Sequence, residues 1–192
     1  MSIAEKFEVI ADAVYEKGKK AQTKEFWGKL QNYGGRTNYT DAFSSVIWND
    51  NIYDPQYPIV TTLLVRAFRN SNVTDTKVPI DVTNSSGAAL NSAFDGSKLV
   101  KIKELIVTNK ITYVTTFRDC SALVDITFTG EIGQNLDLSD SPLLSEATLT
   151  NIVDHLAIVS VATTLTLHAT AKAKLTDTQK ATIQEKGWTF DE

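Results

Sequence analysis

The chain has 192 residues, of which 42% are hydrophobic and 22% are charged, and its formal net charge at pH 7 is -4. This composition is typical of a globular protein, and the length accommodates one generous domain or a small domain with an extension. The mild negative charge argues against a nucleic-acid-binding protein, whose binding domain is usually basic.

Two further features of the sequence restrict the compartment. Cys120 is the single cysteine, which excludes an intrachain disulfide and a thiolate metal cluster. The first residues contain no apolar core of the signal-peptide kind, and no run approaches the roughly 18 apolar residues of a membrane span. We therefore expect a protein that is made in the cytoplasm and has no membrane span.

A helix is predicted in residues 1–36. It begins with the capping-box pattern of Ser2 and Glu5 and carries an apolar stripe at spacings of four, three and four, formed by Ile3, Phe7, Ile10 and Val14. So short a helix is marginal alone in water, so the stripe must be buried against another surface. Two interpretations stay open: the helix caps the rest of the chain, or it is an anchor that self-associates. If the helix self-associates as a coiled coil, bulky Phe7 and isoleucine at the d position of the heptad favour a trimer over a dimer.

Four phenylalanines, 25, 26 and 23 residues apart, mark a repeat in residues 37–130; they are Phe43, Phe68, Phe94 and Phe117. A period in the twenties is typical of a solenoid, in which no unit buries its apolar face alone. A short β-branched segment follows each phenylalanine. We expect the four rings to be buried in register. The segments near 58–60, 79–82, 104–107 and 125–128 are expected to form one narrow parallel sheet.

Within each repeat, a small residue three positions after the phenylalanine is predicted to turn the chain, and an apolar residue at +5 to point inside. These pairs are Ser71 and Val73, Ser97 and Leu99, and Cys120 and Ala122, with Val46 and Trp48 in the first repeat. The aromatic residues of 37–62 are expected either to cover the first open core layer or to stack on a ligand.

Residues 131–192 are predicted to form a C-terminal repeat and cap. The alternation in 135–138 and 164–167 indicates strands. A helix is expected to start near Ser145, with Leu149, Ile152, Val153 and Leu156 on one face. A second capping box, Thr176 with Gln179, predicts a helix over 177–186 that ends at Gly187.

No catalytic, cofactor or metal site is predicted. Cys120 lies in a predicted turn with no neighbouring base, and His155 and His168 have no partner at metal-ligand spacing. Asp137, Asp140 and Asp154 do not match an EF-hand, and the acidic segment 49–54 lacks the glycine and distal glutamate of a calcium loop. We therefore expect a protein that is not an enzyme and has no cofactor.

The segment Phe117–Leu123, which reads F-x-x-C-x-x-L before a β-branched strand, resembles the BspA-like leucine-rich repeat. The flanks resemble repeat proteins encoded by tailed phages and prophages of gut Firmicutes; the similar segments are 15–21, 26–27, 32–39, 48–50, 165–168, 174–176 and 186–189. The resemblance implies an α+β fold. Its parts would be a leucine-rich-repeat-like solenoid with a narrow parallel sheet, an N-terminal helix and a C-terminal cap of helices and strands.

The same resemblance implies a virion structural protein, a head or tail appendage or decoration that presents a repeat domain for surface binding. Its partners would be other virion proteins or its own copies, bound through the N-terminal helix, and a bacterial or host surface protein or glycan. The alternative is a secreted or surface-bound bacterial adhesin that binds host protein or glycan. The missing signal peptide favours the virion, because a particle released by lysis carries a leaderless protein out of the cell.

Overall fold

The computed structural model describes residues 38–45, 55, 58–85 and 87–190. Within these ranges the chain is a mixed α/β protein with two small parallel sheets. The predicted N-terminal helix, with Ile3, Phe7, Ile10 and Val14, lies outside the described residues, as do Val46 and Trp48.

The first sheet contains four strands that lie side by side in chain order, all parallel: β1 (Ile59–Val60), β2 (Ile80–Asp81), β3 (Lys101–Val107) and β4 (Asp125–Gly130). This confirms the prediction that the four segments share one parallel sheet. Successive side chains of a strand point to opposite faces. One face carries a row of paired, fully buried residues that forms the core: Ile59, Ile80, Leu105 and Phe128.

The four phenylalanines lie in tight turns that precede the strands, and each is at most 1% exposed. The centroids of successive rings are 5.1, 5.5 and 6.0 Å apart. The turns are also joined by their backbones, because the N–H groups of Phe43, Phe68 and Phe94 donate to carbonyls of the following turn at 2.8–3.1 Å. Removing a ring from such a core typically costs about 3–5 kcal/mol.

The turn geometry repeats more closely than its sequence. The residue two positions before each phenylalanine has a φ of 49–54°, and the residue two positions after it has a φ of 55–67°. Only one of these eight residues is glycine, Gly96. The small residue at +3 closes each described turn as predicted: the N–H of Ser71, Ser97 and Cys120 donates to the carbonyl of the phenylalanine three residues earlier.

The fourth repeat departs from the predicted spacing. Ala122 was expected to point inside but is half-exposed, and Leu123 is fully buried in its place. The reason is one extra residue before β4. Lys101 lies seven residues after Phe94, whereas its strand partner Asp125 lies eight residues after Phe117. A bulge in β3 between Ile102 and Leu105 compensates, so that the inner residues return to register.

Helix α1 (Glu146–His155) closes the free edge of β4. The helix starts next to Ser145 as predicted, and Ser145 is its N-cap, since its hydroxyl accepts a hydrogen bond from the Thr148 N–H. Thr148 Oγ1 accepts from the Ile126 N–H at 3.0 Å, and the Asn151 amide accepts from the Phe128 N–H at 2.7 Å and donates to its carbonyl at 3.2 Å. Side chains of a helix thus satisfy backbone groups that another strand would otherwise pair.

The second sheet has three parallel strands in chain order: β5 (Leu136–Leu138), β6 (Thr163–Leu167) and β7 (Trp188–Phe190). Helix α1 connects β5 to β6, and helices α2 (Ala169–Lys172) and α3 (Asp177–Glu185) connect β6 to β7. The predicted strands β5 and β6, the capping box of α3 and the left-handed Gly187 are confirmed. Strand β7 and helix α2 were not predicted.

Candidate interaction surface

The outward face of the first sheet carries a regular row of paired residues. Val60, Asp81, Ile106 and Thr129 pair across the four strands, one residue beyond the buried row; we call these four residues the outer row. Val60 is 48% exposed, Thr129 is exposed, and the two central residues are half-buried. The outer row therefore combines two aliphatic side chains with a carboxylate and a hydroxyl on one regular backbone.

Charges on the same face alternate. Lys101 of β3 pairs with Asp125 of β4 on one side and with Asp75 on the other. Thr129 Oγ1 donates to Glu104 at 2.7 Å across the same strand pair. Because positive and negative groups face each other along one row, the face presents no field of a single sign. It suits a partner of mixed polarity better than a polyanion.

Ion pairs hold the turns that carry the phenylalanines. Arg66 makes a bidentate contact with Asp41 in the preceding turn, with both N···O distances at 2.7 Å. Asp95 is 3% exposed and lies between the guanidinium groups of Arg118, at 2.6 Å, and Arg69, at 3.4 Å. The hydrogen bond from Arg66 lowers the pKa of Asp41 below its usual value. These pairs connect equivalent positions of successive turns.

Cys120 is fully buried in its turn, and its Sγ lies 3.1 Å from the Phe94 carbonyl oxygen, to which it donates. Burial raises the pKa of the Cys120 thiol to about 11. Since the thiolate is the nucleophilic form, the thiol is unreactive at neutral pH. The structure places Cys120 with the phenylalanine stack, among the packing residues.

The histidines, Asp137 and Asp140 that the sequence singled out make hydrogen bonds in helix termini and turns, while Asp154 is an exposed residue of α1. His155 Nδ1 lies 2.8 Å from the Asn151 carbonyl oxygen, and the His168 ring accepts the Thr170 N–H at the start of α2. Asp137 accepts the Ser139 N–H, and Asp140 accepts the Asp119 N–H. In the part of the chain that the structure describes, no group of three or more His, Cys, Asp or Glu residues could hold a metal ion.

Residues 138–144 form a fifth copy of the repeat motif, inside the predicted C-terminal repeat, whose motif residues were not identified from the sequence. Leu138, Ser141 and Leu144 have the spacing of Phe117, Cys120 and Leu123, and all six are at most 1% exposed. Ser141 Oγ donates to the Cys120 carbonyl at 3.3 Å, which stacks the fifth turn on the fourth. Searching for the spacing with leucine and serine allowed at the first two positions would have found it.

The outer row was also missed, for a different reason. Its members are hydrophobic or polar with no common type, and only the pairing register of the strands places them together.

The structure brings together the four phenylalanines and Cys120. The predicted anchor residues of the N-terminal helix lie outside the described ranges.

No family model matches the chain, and comparisons with curated proteins and with solved structures found no similar protein. Among the described helices, none is both long enough and apolar enough to cross a membrane.

Proposed function

We propose that the chain is a non-enzymatic structural protein of a phage virion, a head or tail appendage or decoration, whose repeat domain binds a protein surface through the outer row. The observation that carries the binding role is the exposure of Val60 and the half-burial of Ile106, which flank Asp81 in one row of a regular sheet face. Assignment to a virion rests on the sequence resemblance described above. On this proposal the protein is made in the host cytoplasm and leaves the cell with the particle.

The proposed architecture is a leucine-rich-repeat-like solenoid. Three features support it: four strands paired in chain order, four phenylalanine turns joined by a backbone ladder, and a fifth motif of the same spacing. Each of these features repeats at the period of the sequence. A stack of this kind holds an extended surface rigid, as a binding role requires.

A protein partner fits the outer row better than a glycan. The aromatic residues of the described ranges are buried, apart from Phe190, which is half-buried and lies beneath Lys172 Nζ at 5.0 Å from the ring centroid. An apolar sugar face is commonly held by an exposed ring, and the outer row instead offers aliphatic side chains, a carboxylate and a hydroxyl. Such a mixture is typical of protein–protein surfaces.

The absence of enzymatic activity is part of the same proposal. Cys120 is buried and protonated at neutral pH, and both histidines are engaged in helix contacts. A nucleophile needs a base within hydrogen-bond reach, and Cys120 instead contacts a backbone carbonyl and Ser97.

Fractionation of the bacterium that carries the gene tests the virion assignment. After prophage induction, particles are purified on a density gradient, and the protein is followed with an antibody. We expect it to sediment with intact virions. Recovery in the cell-envelope fraction, with none on the particles, would replace this proposal with the adhesin alternative.

A second experiment tests the outer row itself. Labelled full-length protein is bound to intact cells of that bacterium, before and after protease or periodate treatment. The double variant Val60→Lys, Ile106→Lys should lose binding at least tenfold, and protease should abolish it. Val114→Lys, an exposed valine outside the outer row, is the matched control and should bind normally. Equal binding by both variants, or loss only after periodate, would overturn the proposed surface or its protein partner.

A further inference from the structure

We draw no further inference here: the strongest candidate, the apolar surface loop before β6 in which Ile158 is 85% and Val161 is 68% exposed, carries nothing because nothing in the structure shows what covers it.

Discussion

At the scale of single residues, the turns depend on backbone angles that their side chains do not favour. Asp41, Arg66, Ser92 and Thr115 share a left-handed φ two positions before the phenylalanines. For an L-residue this conformation costs roughly 1–2 kcal/mol, and β-branched Thr115 is the least suited of the four. The ladder of backbone hydrogen bonds between turns compensates, since the N–H of Asp41, Arg66 and Ser92 each donates to the next turn.

Two glycines with positive φ should respond differently to a methyl group. A Cβ on Gly130 would collide with the carbonyl oxygen of Val107, whereas a Cβ on Gly96 would meet Oδ1 of Asn70, the end of a side chain that can rotate. We expect Gly96→Ala to cost about 1 kcal/mol for the backbone angle. Gly130→Ala should cost about 1–3 kcal/mol more, because the backbone of β3 must shift. Urea unfolding measures both, and equal losses would contradict the steric argument.

Cys120 should make stability fall at high pH. An unfolded thiol has a pKa of about 8.5, and the folded thiol one of about 11. Below pH 8.5 both states keep the proton, and between the two values the unfolded state loses it first. Relative to Cys120→Ser, the wild type should therefore lose about 2–3 kcal/mol as the pH rises from 7 to 11. Serine is a suitable replacement because Ser97 and Ser141 occupy the equivalent position in other turns.

The measurement is the difference in unfolding free energy between Cys120→Ser and the wild type, taken by urea unfolding in reductant at several pH values. Tyrosines and lysines titrate in both proteins, so their effects cancel in the difference. A difference that stays constant across the pH range would show that the thiol does not contribute.

At the scale of elements, the closure of the β4 edge by α1 determines where the first sheet ends. Asn151→Ala removes both hydrogen bonds to the Phe128 backbone and should cost about 1–3 kcal/mol, which exceeds the small gain in helix propensity. Asp154→Ala, an exposed position on the same helix, is the control and should change stability little. Chemical denaturation followed by circular dichroism compares them. A similar change in both variants would mean that the edge contact is not stabilising.

An element could be predicted where its apolar residues recur with a clear period in the sequence. Helix α1 was predicted because four apolar residues, from Leu149 to Leu156, recur at helical spacing. The first sheet was predicted because four β-branched segments share a period. Strand β7 has the same length and the same apolar-polar-apolar alternation as β5, so the pattern that predicted β5 also fits β7. Identifying the outer row requires knowledge of the pairing register of the strands, and the bulge in β3 shifts that register by one residue. Ala122 was misassigned because a single inserted residue reverses which side chain points inside.

At the scale of the whole molecule, α1 contacts both the first sheet and the segment next to the second sheet. One of its faces satisfies the edge of β4, while Lys186 Nζ, close to β7, donates to the carbonyls of Val153 and Asp154 at its C-terminal end. A cation near the last carbonyls of a helix is favourable, because the helix dipole is negative there. The second sheet thereby secures the helix that terminates the first. The fold itself assigns no function, and the proposed binding role depends on the outer row alone.

The last prediction concerns how many copies associate. The apolar stripe of Ile3, Phe7, Ile10 and Val14 needs a partner surface, and a virion appendage needs an anchor. Isoleucine at a d position favours higher-order coiled coils, and Phe7 is bulky for a dimeric seam. We expect light scattering on the full chain to give three times the 21.1 kDa of one copy. A chain that starts at Thr37, and the full-length variant Ile10→Glu, should both be monomeric, whereas Lys6→Gln, off the stripe, should remain trimeric. If both chains are monomeric and the full-length helix packs along the repeats, self-association is wrong and the helix is a cap.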